Sequence, residues 1–88
     1  MPSFLNIHYT SDFRKSYRRL PNRIQDIIDR KDALFREIPF HPSLRTHKLH
    51  GPLAGLWSFR ITREYRVLFE FIRGGAIFHD VGTHSIYQ

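Results

Sequence analysis

The side chains best suited to chemistry concentrate in one block of the sequence, residues 44–71. Two polar stretches in this block, THKLHG and RITREYR, flank or interrupt alternating apolar residues and carry His47, Lys48, Arg60, Arg63, Glu64, Tyr65 and Arg66. Another histidine, His84, follows near the end of the chain. Histidine exchanges protons near neutral pH, and arginine binds a phosphate through two parallel hydrogen bonds. This combination suits acid–base cleavage of a phosphodiester, if strands hold the side chains rigid.

The charge balance favours a polyanionic partner. The chain has 14 Lys and Arg against 8 Asp and Glu, a formal net charge of +6, and six histidines. Basic residues concentrate near the start and in the second half, whereas Asp26, Asp29, Asp32 and Glu37 lie together between them. A basic surface attracts nucleic acid, although the charge alone fits a merely solvated surface equally well.

Length and residue content exclude several classes of protein. A chain of 88 residues can form one small domain, which we assign to residues 1–88, but not a deep cofactor cavity beside a second domain. It has no cysteine, which excludes disulfides and thiolate metal ligands and fits a reducing compartment. No stretch approaches the roughly 20 apolar residues that a membrane span needs. We therefore expect a cytoplasmic protein that does not bind membranes.

One spacing in the chain is found in some metal sites. His47 and His50 form H-x-x-H, but on a strand they would point to opposite faces, and no carboxylate pair nearby completes a site. We expect no metal ion and no cofactor. For His8, His41 and His79 we expect structural hydrogen bonds and no catalytic role.

The first half of the chain predicts a strand followed by two helices. Residues 4–9 alternate as a half-buried strand does. Ser11 is a suitable N-cap for a short amphipathic helix that ends before Pro21. The apolar residues of segment 24–38 then fall on one face of a longer helix, which Pro39 ends.

The second half of the chain changes to strand periodicity. Residues 44–49 are compatible with a strand, residues 57–62 alternate with one polar face, and residues 65–72 are apolar on both sides, as in a central strand. Gly74 and Gly75 predict a hairpin into a last strand, residues 76–81. The prediction is an α+β domain of order β-α-α-β-β-β(-β), with a mostly antiparallel sheet and both helices packed on one face.

Three short motifs follow one another along this second half. They are H-x-L-x-G at residues 47–51, G-x-W-S-x-R-I-T-x-E-Y-R at residues 55–66 and, after an apolar strand, G-T-H-S at residues 82–85. Their order and spacing resemble the RelE/ParE toxin superfamily, and especially its YafQ-like branch. The resemblance implies the RelE-like fold and the toxin of a type II toxin–antitoxin pair, most often an endoribonuclease that cuts messenger RNA on the ribosome. ParE members of the same fold instead poison DNA gyrase.

The resemblance also implies roles for single residues. His47 and His84 match histidines of the YafQ-like active site, and Glu64 matches an acidic position there. Arg60 stands where YafQ-like members have a histidine and RelE and YoeB relatives have an arginine, so we interpret it as a phosphate clamp. The catalytic set implied is His47, Arg60, Glu64 and His84, with the acid and base roles left open. Attack by the 2′-hydroxyl would give a 2′,3′-cyclic phosphate without a metal ion.

Further contacts to RNA are expected from neighbouring basic and aromatic side chains, namely Lys48, Arg63, Tyr65, Arg66 and Tyr87. The basic ones could equally be solvated charges, and Tyr65 could equally belong to the core. Tyr87 lies near the end of the chain, and relatives with an aromatic residue near this position use it at the scissile site.

Two functions of different classes remain open. The first is an RNA-cleaving toxin whose partners are messenger RNA and the ribosome. The alternative is a ParE-like DNA gyrase inhibitor, or a catalytically silent protein that binds an antitoxin, which needs only the fold and a complementary surface. ParE-type members generally lack the histidine and acid set, so its presence favours the nuclease. In either case the expected partner is an acidic, partly disordered antitoxin that complements the net charge of +6.

Overall fold

The computed structural model describes residues 4–87, which form two helices and five strands in the order β-α-α-β-β-β-β. The elements are β1 (Asn6–Tyr9), α1 (Ser11–Arg19), α2 (Asn22–Glu37), β2 (His47–Lys48), β3 (Trp57–Arg60), β4 (Arg66–Ile72) and β5 (Gly75–Gly82). Three short 3₁₀ turns complete them: Pro42–Leu44, Gly51–Leu53 and His84–Tyr87, of which the last is called the C-terminal turn below. Over residues 4–87, no helix has both the length and the apolar character needed to cross a membrane.

The five strands form one sheet in the spatial order β1-β5-β4-β3-β2. β1 pairs in parallel with β5, and the other three pairs are antiparallel. The chain passes from β1 through α1 and α2 to β2 at the opposite edge of the sheet. The last strand, β5, then pairs with β1. The predicted α+β fold with a mostly antiparallel sheet is confirmed.

Phe35 of α2 is the centre of the hydrophobic core. It is 0% exposed, and its ring centroid lies 4.8 Å from that of Phe59, 4.9 Å from Phe69 and 5.5 Å from Phe78. On α1, Phe13 reaches the same core, 5.6 Å from Phe78. Both helices therefore pack against the same face of the sheet, as predicted.

The opposite sheet face, called the open face below, carries the even-numbered residues of β3 and β4. Side chains alternate between the two faces along a strand, and Phe59 and Phe69 point to the helices. Ser58, Arg60 and Arg66 consequently project to the open face. The C-terminal turn packs against β4 and β5.

The N-cap of α1 lies one residue earlier than predicted. Thr10, and not Ser11, is the N-cap, because its hydroxyl accepts a hydrogen bond from Phe13 N at 3.0 Å and its backbone is extended. The Thr10 hydroxyl also donates to the His79 carbonyl at 2.8 Å, which ties this helix start to β5. The first strand begins at Asn6, two residues later than predicted.

Two of the strands predicted in the second half, those that correspond to β2 and β3, are longer than the observed strands. Residues 44–49 contribute only His47–Lys48, because a turn occupies Pro42–Leu44 and Arg45 has a left-handed backbone with φ 49°. β3 stops at Arg60, because the Ile61 and Thr62 amides both donate to the Tyr65 carbonyl and close a wider loop.

A polar network joins β1 to α2. The Tyr9 hydroxyl donates to the Asp32 carboxylate, and Arg36 Nη2 donates to the Tyr9 oxygen at 2.8 Å. Arg36 Nε also pairs with Asp32 at 2.9 Å. Burial raises the pKa of Tyr9 above its ordinary value of 10.0, and the bond to Asp32 acts in the same direction. The neutral phenol is thus the form that the fold stabilises.

We expect Tyr9→Phe to lower the free energy of unfolding by about 1.5 kcal/mol at neutral pH, because two charged partners lose a hydrogen bond. The raised pKa makes this contribution fully present below about pH 10 and progressively lost as the pH rises through the folded-state pKa. Urea unfolding of both proteins at about pH 7 and about pH 11 measures the difference. A difference that stays constant over this range would contradict the stabilised phenol.

Candidate functional site

Four polar or aromatic side chains lie on the open face, and three of them, Ser58, Tyr87 and His84, are in contact. His47 lies opposite Ser58 in the pairing of β2 with β3, and directly paired residues share a face. The Ser58 and Tyr87 hydroxyls share a hydrogen bond of 2.6 Å, and the Tyr87 ring meets the His84 ring edge-on at 4.9 Å. The two predicted catalytic histidines therefore approach β3 from different sides, His47 from β2 and His84 from the C-terminal turn.

The backbone around His47 fixes its proton. His47 Nδ1 lies 2.7 Å from the Arg45 carbonyl oxygen, which can only accept a hydrogen bond, so Nδ1 carries the hydrogen. In the neutral ring, Nε2 is then free to accept a proton. The side chain is exposed, and the left-handed conformation of Arg45 directs this short-range bond. His47 is therefore held in the tautomer that a base requires.

Two arginines face each other across β3 and β4. Arg60 is the direct cross-strand partner of Arg66, and both are partly exposed. Arg66 Nη2 donates to the Arg63 carbonyl at 3.3 Å, whereas its buried Nε has no partner within residues 4–87. Of the ion pairs found in that range, neither includes Arg60 or Arg66.

This arginine pair is unfavourable in the free protein. Like charges directly opposite each other on a sheet repel, and a buried donor without an acceptor loses its hydration. Arg66 is also the partner of Gly82 at the end of β5, two residues before His84. An anion bound beside the two guanidinium groups would relieve the repulsion between them next to the C-terminal turn.

The loop between β3 and β4 carries the remaining polar residues of the motif. Thr62 Oγ1 accepts hydrogen bonds from Glu64 N at 3.2 Å and Tyr65 N at 3.1 Å, which holds the loop shut. Arg63 and Glu64 are exposed at its tip. In the described part of the chain, no hydrogen bond joins the Glu64 carboxylate to a histidine. Tyr65 is half-buried and packs against the core, which was the alternative left open for it.

Lys48 lies away from the other predicted residues. It pairs with Trp57, and its Nζ lies 5.5 Å from the centre of the Trp57 indole. Trp57 alternates with Ser58, so Lys48 is on the helix side of the sheet, opposite to His47. The structure thus gathers His47, Arg60, Arg66, His84 and Tyr87 on one face and separates Lys48 from them.

Two of the remaining histidines have the structural roles predicted for them. His41 Nδ1 accepts from Ser43 N at 3.1 Å and caps a turn, and His79 pairs with Glu70 at 2.7 Å. His8 is exposed on the edge strand β1. Between residues 4 and 87, no three His, Asp or Glu side chains are grouped closely enough to hold a metal ion.

The sequence did not single out Ser58. Alternation assigned it to a polar strand face, which predicted exposure, but the side chain is 1% exposed beneath Tyr87. The sequence feature that could have identified Ser58 is its position between two aromatic residues, Trp57 and Phe59, and two positions before Arg60. A cleft of about 230 Å³ lies elsewhere, beside Tyr9 and both helices, and includes none of the predicted site residues.

No family model matches the sequence, but individual proteins do. The toxin HigB-1 from Vibrio cholerae is 30% identical over 77 residues, which cover 81% of this chain and 81% of that protein. This chain belongs to the RelE/ParE toxin superfamily. The predicted family is confirmed.

Solved structures of this superfamily share the fold. The RelBE2 toxin–antitoxin complex from Mycobacterium tuberculosis matches with a TM-score of 0.78 at 20% identity, covering 92% of this chain and 99% of that one. The DinJ–YafQ toxin–antitoxin complex from E. coli matches with a TM-score of 0.76 at 16% identity, covering 93% and 94%. A YafQ complex is thus among the solved structures that share this fold.

Proposed function

We propose that this superfamily member is the toxin of a type II toxin–antitoxin pair and cleaves messenger RNA on the ribosome without a metal ion. The observation that carries the proposal is the Arg60–Arg66 pair, which has no anionic partner within residues 4–87 and lies on the same face as both histidines. A scissile phosphate is an anion that needs both charge stabilisation and proton transfer. The open face offers the two together.

His47 is the proposed base, because its Nε2 is free while Nδ1 is held by the Arg45 carbonyl. It would take the proton of the 2′-hydroxyl as that oxygen attacks phosphorus. His84, in its protonated form, would give a proton to the departing 5′-oxygen. The products would be a 2′,3′-cyclic phosphate and a 5′-hydroxyl, with charge on the phosphorane stabilised by Arg60 and Arg66.

The other predicted residues are proposed to hold RNA around the scissile phosphate. Arg63 is exposed at the loop tip beyond β3, where it could meet the backbone flanking the cut. Glu64, which the sequence predicted as a catalytic residue, is exposed beside it, where its carboxylate could accept hydrogen bonds from the flanking bases. Tyr87 is half-buried beside His84, so part of its ring is available for stacking. Lys48 and Tyr65 are assigned weaker contributions, since one stacks on Trp57 and the other packs on the core.

An antitoxin is the proposed protein partner. The relatives RelBE2 and DinJ–YafQ are toxin–antitoxin complexes by name. The net charge of +6 and the shallow open face favour an acidic, partly disordered segment that orders on binding. Such a segment could silence the chain by placing carboxylates against Arg60 and Arg66.

Expression of the chain without its antitoxin is expected to arrest growth and to produce in-frame 5′ ends in translated messages. Sequencing of transcript 5′ ends before and after induction measures this. Induction of the His47→Ala, His84→Ala double variant at equal protein level is the control and should leave the transcripts intact. Intact RNA with trapped gyrase cleavage complexes in the parent would favour the gyrase inhibitor instead.

A further inference from the structure

Ser58 occupies an unusual place in the fold. It is the only buried polar or charged residue found among residues 4–87, at 1% exposure, and lies in a strand between two aromatic residues. A buried hydroxyl is costly unless it is hydrogen-bonded. Its partner is not a neighbouring backbone group but the Tyr87 hydroxyl, 29 residues away at 2.6 Å. The bond therefore ties the C-terminal turn to β3.

Ser58 lies on the same sheet face as the proposed reacting groups and adjoins three of them through the ladder, the strand and Tyr87. Ser58 pairs with His47 across the β2–β3 ladder and precedes Arg60 by two positions on the same strand face. Through Tyr87 it reaches His84, whose ring contacts the Tyr87 ring edge-on at 4.9 Å. The Ser58 side chain thus links β3 to the C-terminal turn, on the sheet face that His47 and Arg60 share.

We propose that Ser58 is a positioning residue that fixes Tyr87, and through it His84, against the open face. The inference rests on the proposed function, because its consequence is the placing of His84 beside the phosphate held by Arg60 and Arg66. Ser58 does not touch the substrate: Tyr87 covers it. Its role is to fix the position of His84, the proposed proton donor.

The C-terminal turn needs such an anchor. Thr83, His84 and Ser85 are exposed, and the backbone bond from Ile86 N to the Thr83 carbonyl is a local one. A short exposed segment outside the sheet opens easily unless a long-range contact holds it. The Ser58–Tyr87 bond supplies a side-chain link from the turn to the sheet interior.

The simpler alternative is that Tyr87 merely satisfies a buried hydroxyl, with no effect on His84. The two readings differ in the behaviour of His84 and in the effect of combined substitutions. If Ser58 acts through Tyr87, then Ser58→Ala and Tyr87→Phe remove one and the same bond. Their effects on cleavage should then coincide and should not multiply in the double variant.

The experiment compares Ser58→Ala, Tyr87→Phe, the double variant and the parent in cleavage of a message on programmed ribosomes. We expect each single variant to lower the rate at saturating RNA by about 10- to 100-fold, and the double variant to be no slower than the slower single one. Ser85→Ala is the matched control. It removes an exposed hydroxyl of the same turn, which within residues 4–87 bonds only to Thr83, at 3.2 Å, and this variant should cleave at the parent's rate.

Imidazole NMR of the free proteins gives a second readout that does not depend on catalysis. In Ser58→Ala and in Tyr87→Phe, the His84 ring resonances should shift, whereas those of His50 should not. Unchanged His84 resonances in both variants would overturn the inference, as would cleavage losses that multiply in the double variant. If the parent cleaves no RNA, the proposed function fails, and a shift of His84 would still support the anchor.

Discussion

Replacing His84 by alanine is expected to slow messenger RNA cleavage by about 100- to 10,000-fold, and His47→Ala is expected to do the same, the usual effect of losing a proton-transfer group. Both side chains are exposed, so neither substitution opens a cavity in the core. The only hydrogen bond that the His47 side chain makes within residues 4–87 is to a backbone carbonyl. Each variant should therefore keep its fold while it cleaves messenger RNA far more slowly.

A translation-coupled cleavage assay with purified variants measures these rates, and circular dichroism checks the fold. His50→Ala is the matched control, because His50 is an exposed histidine three positions from His47 and outside the proposed site. It should cleave as fast as the parent. Variants at positions 47 and 84 that remain as toxic as the parent at equal expression would show that neither histidine transfers a proton.

The helices could be predicted because their signals are local. Ile24, Ile28 and Phe35 lie on one face of a helical period, and each is buried in the structure. β2 could not be predicted in the same way, because a two-residue strand is defined by its partners, Trp57 and Ser58. Nothing within residues 44–49 announces where a strand so short begins or ends.

The predicted strand bounds also imply the wrong register for the β3–β4 hairpin, and this error mattered more for the site. Strands at 57–62 and 65–72 would leave a two-residue turn and pair residue 62 with residue 65. The observed loop instead pairs Arg60 with Arg66, one residue out of step with that expectation. A one-residue slip exchanges the two faces of a strand, so the predicted bounds could not have placed both arginines on one face. Residue types were predictable, but their juxtaposition required the loop geometry set by Thr62.

Ser58 and Lys48 also show that the sequence alone could not predict which side chains lie together. Lys48 adjoins His47 in sequence, yet alternation puts it on the other face of the sheet, over Trp57. Ser58 lacks a charge or a titratable group, and its contact with Tyr87 joins two ends of a long segment. Sequence patterns identify side chains that could react, and only the packed sheet reveals which of them a neighbour holds in place.

Arg60→Gln is expected to separate activity from stability. Loss of one cation at the phosphorane should lower the cleavage rate by about 100- to 1,000-fold. The same change removes a like charge directly opposite Arg66, so the free energy of unfolding should stay the same or rise by about 0.2–1 kcal/mol. A variant that cleaves more slowly but is no less stable would show that the charge of Arg60 serves ligand binding and does not stabilise the fold.

Cleavage on ribosomes and urea unfolding, the latter at low and at high salt, measure the two effects. Salt screens repulsion between partly exposed charges, so any gain in stability should shrink at high salt. Arg73→Gln is the charge-matched control: Arg73 is exposed between β4 and β5, outside the proposed site, and its loss should leave the cleavage rate unchanged. If Arg60→Gln loses stability and activity together, Arg60 supports the fold, and the anion that would relieve its repulsion from Arg66 is not needed to explain the pair.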